Sequence, residues 1–453
     1  MSTVLGEQHP PATTGLLDRA RSVAPPGYNR WLVPPAALAV HLSIGEVYAF
    51  SVFNLPLTHL IGVDHPAPGD WALTDVGWVF SLAIVFLGLS AAVFGAWLER
   101  AGPRKAMAAA AGCFGGGFLV AAAGVWAHQL WLLFLGYGVL GGVGLGIGYI
   151  SPVSTLIKWF PDRPGMATGL AIMGFGGGAM IGSPLSEWLM GQFRGPTSAG
   201  VTETFVVLGL VYFAFMVFGA LTVRLPPPGW SPGGATGGAR PAGGGLTPGE
   251  AVRVPQFWLL WAVLLLNVTV GIGVLGQASP MIQETFPGRV TAAAAAGFVG
   301  LLSLFNMAGR FGWSSLSDRI GRKPTYVVFF ALGAALYALT PQAGRLGSVA
   351  LFVLGYGVIM SMYGGGFATI PAYLKDRFGV AHVGAIHGRL LTAWSLAGVA
   401  GPVLVNYIRA YQIESGVPKV EAYTVTMYLM AGLLAVGFVC NLLVRPVARR
   451  EKP

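Results

Sequence analysis

The fold of this chain is decided by a charged loop that occurs twice, first as Gly95-Ala-Trp-Leu-Glu99-Arg100-Ala-Gly102-Pro103-Arg104-Lys105 and again as Ser314-Ser-Leu-Ser-Asp318-Arg319-Ile-Gly321-Arg322-Lys323. An offset of 219 residues aligns Glu99 with Asp318. The same offset aligns Leu135-Gly136-Tyr137-Gly138-Val139 with Leu354-Gly355-Tyr356-Gly357-Val358, and Pro152, Gly165, Gly169 and Gly182 with Pro371, Gly384, Gly388 and Gly401. So many matches without a gap indicate that the chain is a duplicated half.

The composition is that of a membrane protein. Of the 453 residues, 54% are apolar and 10% are charged. Soluble domains average about 25% charged residues, so a water-facing surface could not be covered here. Since about 20 apolar residues span a bilayer, the apolar runs predict twelve transmembrane helices. They lie at about 31–58, 74–98, 105–127, 130–157, 166–192, 202–224, 255–284, 291–317, 324–341, 347–374, 382–408 and 421–444.

Between the sixth and seventh runs, the stretch from Pro226 to Gly249 is rich in Pro and Gly and nearly free of apolar side chains, which is typical of a flexible linker. We therefore expect an N-terminal six-helix bundle over residues 1–225, a linker over 226–250 and a C-terminal six-helix bundle over 251–453. The predicted fold class is an all-α membrane protein with twelve helices in two pseudo-symmetric bundles. Duplicated halves of this kind place a substrate path between them, as in transporters.

The basic residues lie mostly on one side of the predicted membrane. Of the 27 Lys and Arg residues, Arg310 falls inside a span and five fall in loops on one side, which leaves 21 on the side of the termini; the five are Arg194, Arg289, Arg345, Arg409 and Lys419. Because cytoplasmic segments retain positive charge, both termini are expected in the cytoplasm. We expect a monomeric, multi-pass protein of the bacterial inner membrane. Its basic residues are expected to face the lipid bilayer and not to bind nucleic acid, and no removable signal peptide is expected.

No cofactor or metal is expected. The two cysteines, Cys113 and Cys440, lie within apolar runs and cannot build a disulfide framework, a zinc site or an Fe–S site. The glycine run Gly174-Phe-Gly176-Gly177-Gly178 lies inside an apolar span without a following Lys-Ser/Thr, so it indicates close helix contact rather than phosphate binding. No Walker motif occurs, so ATP does not drive transport directly.

The two charged loops resemble the G-x-x-x-D-R-x-G-R-K loops of the major facilitator superfamily, and the resemblance covers nearly the whole chain. The first copy departs from that pattern by having Pro103 where the pattern has Arg. A carboxylate in such a loop can pair with a neighbouring Arg and with helix N-termini, contacts that must break as the cytoplasmic side opens. We therefore interpret four residues as a cytoplasmic gate, beside their role as positively charged anchors: Glu99, Arg100, Asp318 and Arg319.

Arg310 is the most informative residue of the sequence, because it lies inside the eighth apolar run. An intramembrane Arg stays charged and is costly unless it faces a partner or a wet cavity, which makes it a candidate site for a carboxylate. The alternative is an Arg that snorkels or pairs permanently with a structural acid. Asn306, four residues earlier, could orient the guanidinium or bind a substrate oxygen.

The flanks of Arg310 resemble the oxalate/formate antiporter branch of the superfamily, in which an Arg at this place contacts the substrate anion. Three other stretches resemble the aromatic lining of that branch's pocket: Tyr48-Ala-Phe50-Ser-Val-Phe53, Gly146-Ile-Gly148-Tyr149, and the pair Tyr363 and Phe367. The resemblance implies that Tyr48, Tyr149, Tyr363 and Phe367 wall a small pocket around Arg310. For each ring taken singly, packing is the alternative role.

The eleventh run departs from the oxalate exchanger's pattern. It reads Leu391-Thr392-Ala393-Trp394-Ser395 where the oxalate exchanger has a second cation, a Lys. Two cations suit a dianion, whereas one cation suits a monocarboxylate. We therefore expect Trp394 to line the pocket of a carrier that prefers monocarboxylates to oxalate. His387 lies about two turns nearer the cytoplasm and is interpreted as a helix-end or gate residue.

Glu46 is the candidate for proton coupling. Proton-coupled monocarboxylate carriers often have an Asp four residues before the Arg of the eighth helix, and Asn306 occupies that place here. Glu46 is the only acidic residue deep in a predicted span, and a lone carboxylate there can carry a proton across. A structural hydrogen bond to a neighbouring helix is the equal alternative.

These observations predict a secondary active transporter of small organic carboxylate anions that works by alternating access, similar to the oxalate/formate antiporters. A proton-coupled monocarboxylate symporter is the alternative. A membrane-embedded enzyme is disfavoured because no HExxH or DxxD pair occurs, and His41 and Glu46 are five residues apart, off one helix face. A non-transporting receptor is disfavoured by the short loops.

Overall fold

The computed structural model describes residues 15–63, 67–232, 245–275 and 278–447. Within these ranges the chain forms twelve long helical segments. In chain order they are α1 (Val33–Ile44, continued by Gly45–Ala49 and Ser51–Leu57), α2 (Leu73–Ala101), α3 (Pro103–Trp126), α4 (Leu130–Trp159), α5 (Pro164–Phe193), α6 (Val201–Thr222), α7 (Pro255–Leu275, followed by Ala278–Thr285), α8 (Ala292–Ile320), α9 (Arg322–Arg345), α10 (Val349–Phe378), α11 (Val383–Glu414) and α12 (Thr424–Leu443).

The helices have the dimensions of membrane spans. Among the described residues, eleven of the segments are long and apolar enough to cross a membrane. The remaining segment, α8, has 29 residues, and at 1.5 Å per residue it extends about 44 Å, more than the hydrocarbon core of about 30 Å. Each of the twelve predicted runs therefore corresponds to a helix of sufficient length.

Three of the helices contain an irregular turn, where continuous helices were predicted. α1 tightens into a 3₁₀ turn over Gly45–Ala49, α4 widens into a π-helix over Phe134–Gly141, and α11 is interrupted at Leu391. At Gly45 the backbone of α1 lies directly against the carbonyl group of Phe175 in α5, so a larger residue would clash there. The irregular turn of α1 thus lies against the middle of α5.

The repeat of 219 residues is visible in the packing. Gly102 and Gly321, which are equivalent, end α2 and α8 with φ angles of 85° and 91°, a backbone conformation that favours glycine. A methyl group on Gly169 of α5 would meet the carbonyl oxygen of Arg310 at 2.6 Å, and one on Gly388 of α11 would clash with the carbonyl oxygen of Ala91. The contact of α5 with α8 is therefore repeated, with the halves exchanged, by that of α11 with α2.

These two helix pairs hold the halves together on one side. We call it the linker side, because the end of α6 and the start of α7 lie there. Lys375 at the end of α10 donates to the carbonyl oxygen of Pro161, just after α4, at 2.9 Å, and Thr168 of α5 donates to that of Ala368 in α10 at 2.6 Å. Near the linker-side ends of α2 and α11, a larger residue at Gly95 would clash with the backbone of Ala385. These contacts separate the centre of the molecule from the linker side.

Candidate functional site

Arg310 lies between the two halves, with none of its surface exposed. It is ten residues from the end of α8 at Ile320, or about 15 Å along the helix axis. Its Nε donates to Oδ1 of Asn306 at 2.8 Å, and its Nη1 reaches the carbonyl oxygen of Ile172 in α5 at 3.4 Å. Its Nη2 has no hydrogen-bond partner and the side chain forms no ion pair among the described residues. One edge of the guanidinium therefore remains available to an anion.

Aromatic rings from both halves face the guanidinium. Its central carbon lies 5.5 Å from the ring centroid of Phe175 in α5 and 5.4 Å from that of Phe367 in α10. Rings at this distance attract a cation through their π-faces. They hold Arg310 in place without neutralising its charge.

Four further rings complete this aromatic cage, which we define by Tyr48, Tyr149, Phe175, Tyr363, Phe367 and Trp394. Trp394 of α11 lies 4.3 Å from Phe367, 5.3 Å from Tyr149 and 5.6 Å from Phe175 between ring centroids. Tyr48 packs edge-on against Phe175 at 4.9 Å. The structure therefore brings together all seven residues that the sequence analysis proposed for substrate binding: Arg310, Asn306, Tyr48, Tyr149, Tyr363, Phe367 and Trp394.

Phe175 is a cage residue that sequence reasoning missed. It lies in the run Gly174-Phe-Gly176-Gly177-Gly178, which was interpreted only as a surface for close helix contact. A single large side chain among glycines was the available signal, because only that side chain can fill the space that the glycines leave. Conversely, Phe50 and Phe53 face away from the cage and pack against Tyr137 and Phe205 inside the first bundle.

The hydroxyl groups of Tyr48 and Tyr363 link the two halves above Arg310. They lie 3.2 Å apart, and either can donate the hydrogen bond. Next to Tyr48, on the side away from the linker, is a cavity of about 80 Å³ that is lined by Leu275, Val299, Ser303, Asn306, Gly176 and Ala179. A small anion that enters this cavity would meet the tyrosine hydroxyls and then the free edge of Arg310.

Trp394 occupies the place where the oxalate exchanger's pattern has a second cation. Its indole is fully buried, and its Nε1 has no hydrogen-bond partner among the described residues. Among the described residues, Arg310 is the one cation that lies over rings of the cage. The cage therefore has a single permanent positive charge.

Glu46 does not share the cage with Arg310. It is fully buried inside the first bundle, close to Gly182 and Ser186 of α5 and to Tyr212 of α6. Neither carboxylate oxygen makes a hydrogen bond to the described residues by geometry. Glu46 is two residues before Tyr48 in the 3₁₀ turn of α1, a rotation of about 240° around the helix, so the two side chains leave α1 on different faces. Glu46 therefore could not contact an anion at Arg310 directly.

The two charged loops close the linker side in different ways. The carboxylate of Asp318 accepts hydrogen bonds from the backbone N–H groups of Gly165 and Met166, at 2.9 and 2.8 Å, and pairs with Arg322. It thereby caps α5 from the other half of the molecule. Glu99 instead pairs with Lys158 at 2.6 Å and accepts from Ser154 at 2.9 Å, both in its own half.

Arg100 and Arg319, the two other residues assigned to the gate, are exposed. Neither makes a hydrogen bond or an ion pair within the described part of the chain. The cations at the gate carboxylates are Lys158 and Arg322. Arg322 has no counterpart in the first loop, because Pro103 stands at the equivalent position.

The described residues contain no cluster of three or more His, Cys, Asp or Glu side chains that could hold a metal ion. The chemistry that the cage offers is the binding of a small anion by a fixed guanidinium between aromatic walls. Two six-helix bundles that enclose such a site, with cross-bundle contacts on one side, define a membrane transporter rather than an enzyme.

The chain belongs to the major facilitator superfamily, whose family model matches residues 28–402 and, in a second alignment, residues 311–453. The solved structure of the superfamily transporter FucP of Escherichia coli in the outward conformation shares the fold. It has a TM-score of 0.66 at 13% identity and covers 92% of this chain and 100% of that chain. The predicted fold class of twelve helices in two bundles is confirmed.

Two relatives carry named substrates. The chain is 28% identical over 382 residues to the oxalate:formate antiporter of Oxalobacter formigenes, which covers 82% of this chain and 83% of that protein. It is 24% identical over 450 residues to apicoplast pyruvate carrier 1 of Toxoplasma gondii, which covers 85% of this chain and 78% of that protein. The resemblance that the sequence analysis identified is confirmed.

Proposed function

We propose that this protein is a secondary active transporter of small organic carboxylate anions and works by alternating access. The observation that carries the proposal is the state of Arg310, a buried cation between the halves whose Nη2 has no partner among the described residues. A buried charge without a counter-charge is costly. A carboxylate would supply both the missing charge and acceptor oxygens for the free edge of the guanidinium.

The preferred anion in this proposal is a monocarboxylate. The cage has one permanent cation, and its walls are aromatic rings that would leave a second carboxylate desolvated without a partner. The adjoining cavity of about 80 Å³ suits a molecule of a few heavy atoms. Similarity to an oxalate:formate antiporter and to a pyruvate carrier supports the class of small carboxylates.

Anion exchange is the leading mode of transport, and proton symport is the alternative. Exchange needs only one site, since a bound anion compensates Arg310 while the halves move. Symport needs a group that takes up a proton, and Glu46 is a fully buried carboxylate without a hydrogen bond to the described residues. Buried carboxylates of this kind form proton relays in coupled carriers.

We further propose that the protein acts as a monomer in the bacterial inner membrane, with both termini and the linker in the cytoplasm. The excess of Lys and Arg on the side of the termini supports this orientation. The closed side of the molecule would then be the cytoplasmic side.

The proposal is tested by uptake of labelled formate, acetate, lactate and oxalate into proteoliposomes that contain the purified protein. Uptake is measured with and without an internal counter-anion and with an imposed proton gradient. We expect uptake of monocarboxylates that depends on the counter-anion. If a proton gradient alone drives uptake, the protein is a symporter, and if none of the four anions enters, the proposed substrate class is wrong.

A further inference from the structure

Two buried histidines lie beneath the aromatic cage, one from each half. His41 belongs to α1 and His387 belongs to α11, and their exposed fractions are 0% and 1%. The ring of Tyr149 lies between them, stacked on His41 at 5.3 Å and 5.9 Å from His387 between ring centroids. The cage and the histidines are therefore in direct contact through one tyrosine.

The two histidines differ in their hydrogen bonds. Nε2 of His41 lies 3.1 Å from the carbonyl oxygen of Tyr149, which anchors that ring to α4. Neither ring nitrogen of His387 has a hydrogen-bond partner within the described part of the chain. Burying a polar ring without partners is unfavourable, and an apolar side chain would pack there at less cost. Packing alone therefore does not explain His387.

The position of His387 along its helix places it on the linker side of Arg310. His387 is four residues from the start of α11 at Val383, or about 6 Å, compared with about 15 Å for Arg310 from the end of α8. His41 is eleven residues from Arg30, where the helical backbone of the first span begins, so it lies at about the depth of Arg310. A carboxylate that leaves Arg310 toward the linker side would pass His387.

Opening of the linker side would expose this path. α11 lies against α2 at Gly388 and Ala91, and Gly384 lies against the carboxylate of Glu99. When these contacts separate, His387 faces the gap between the halves. Its imidazole carries an N–H in either tautomer, so it can always donate a hydrogen bond to a carboxylate.

We propose that His387, supported by His41, forms a second carboxylate-binding subsite on the linker side of Arg310, occupied after the halves open on that side. The inference rests on the proposed function of the cage. The subsite would receive the anion as it leaves Arg310 and would capture anions that arrive from the linker side. His387 would therefore affect binding from one side of the membrane only.

The test compares apparent affinities from the two sides. Transport of labelled formate, acetate and lactate is measured in right-side-out and in inverted membrane vesicles, and labelling of a cysteine introduced by Pro228→Cys in the linker identifies the linker side. His387→Leu should raise the half-saturating concentration of the anion by about tenfold when the anion is supplied from the linker side, because a hydrogen bond to a charged group is lost. The half-saturating concentration from the opposite side should not change. His387→Gln, which keeps a donor, should lose less. His382→Leu, the same change five residues earlier on the same side, is the matched control and should behave as the wild type.

The outcomes separate this subsite from the cage. If the wild type transports no carboxylate, the proposed function and the subsite are both wrong. If the wild type transports a carboxylate and His387→Leu leaves both affinities unchanged, only the subsite is wrong. A loss of affinity that is equal from both sides would show that His387 acts through packing, and it would also overturn the subsite.

Discussion

Asp318 and Gly165 are joined by a hydrogen bond of 2.9 Å between the carboxylate of one and the backbone N–H of the other, so a residue of the second bundle caps a helix of the first. The equivalent carboxylate, Glu99, has no such bond across the halves in the described residues and pairs with Lys158 of its own bundle. The cap at the start of α5 is therefore a specific lock on the closed linker side.

Asp318→Asn should favour opening of the linker side. The substitution removes a charge-assisted cap that is worth about 1.5 to 3 kcal/mol, so the ratio of open to closed molecules should rise by about tenfold or more. The measurement is the rate at which an impermeant thiol reagent labels a cysteine introduced by Thr168→Cys, at a buried position between α5 and α10. Glu99→Gln is the control and should change the rate less, since its partners lie in one bundle. Equal effects of the two substitutions would show that Asp318 has no special role.

Substitution of Arg310 should abolish or weaken transport. Arg310→Lys keeps the charge but loses the planar fork, and Arg310→Ala loses both, so transport should fall in both and most in Ala. Binding of the preferred carboxylate should weaken by roughly ten- to a hundredfold in Arg310→Ala. The assay is ligand binding to purified protein in detergent, with Arg345→Ala, an exposed Arg in the same bundle, as the control. Wild-type affinity in a folded Arg310→Ala protein would place the anion elsewhere.

Trp394→Lys should shift selectivity toward oxalate. It adds a second cation next to Phe367 and Tyr149, and a second cation compensates the second carboxylate of a dianion. Competition of unlabelled oxalate against a labelled monocarboxylate measures the shift. Trp394→Leu removes the ring without adding charge, so it separates the loss of packing from the gain of charge. Tight binding of oxalate by the wild type would contradict the prediction, because another cation would then serve the site.

Glu46→Gln distinguishes the two modes of transport. If Glu46 carries the coupled proton, the variant should lose uptake driven by a proton gradient but retain exchange of one carboxylate for another. If the protein is an obligate exchanger, both activities should resemble those of the wild type, because Glu46 lies outside the cage. The two assays are run on the same proteoliposomes. Loss of exchange together with loss of folded protein would indicate the structural role instead.

The orientation of the protein follows from labelling of cysteines introduced one at a time into a variant whose natural Cys113 and Cys440 are replaced by Ser. A cysteine introduced by Pro228→Cys, just after α6, should react with an impermeant reagent only after cells are permeabilised. A cysteine introduced by His128→Cys, between α3 and α4 on the opposite side, should react in intact cells. The reverse pattern would mean that the topology is inverted.

The helices and the position of Arg310 could be predicted because they depend on local patterns. Apolar runs of about 20 residues specify spans, and one Arg inside a run is conspicuous. The partners of Arg310 in other helices came from resemblance to a family, and the structure places them around it. Phe175 was missed because glycines on both sides leave no polar and apolar faces from which its direction could be read.

Two other features depend on tertiary structure and could not be derived from the chain alone. The gate cations were expected to be Arg100 and Arg319, next to the carboxylates in sequence, but Lys158 and Arg322 make the contacts. A neighbour in sequence on a helix points about 100° away. Arg322 is the first residue of α9, and the sharp turn at Gly321 brings it back to Asp318 at the end of α8. The pairing of Glu99 with Lys158 joins two helices and has no local pattern.

Pro103 stands in the first loop where the family pattern has Arg, so the two halves of the repeat make unequal contacts when the linker side closes. The pair α5 and α8 is fastened by hydrogen bonds from the backbone N–H groups of Gly165 and Met166 to the charged carboxylate of Asp318. The pair α2 and α11 is held instead by close backbone contact at Gly388 and by the neutral hydroxyl of Ser395. The contact between α2 and α11, which has no charged cap, should separate first. The two halves would then rotate about the contact between α5 and α8 rather than move apart evenly. The gap through which the anion leaves would then open first between α2 and α11, on the side of the molecule where His387 lies. The anion would therefore be released toward one side of the molecule, in a preferred direction parallel to the membrane plane.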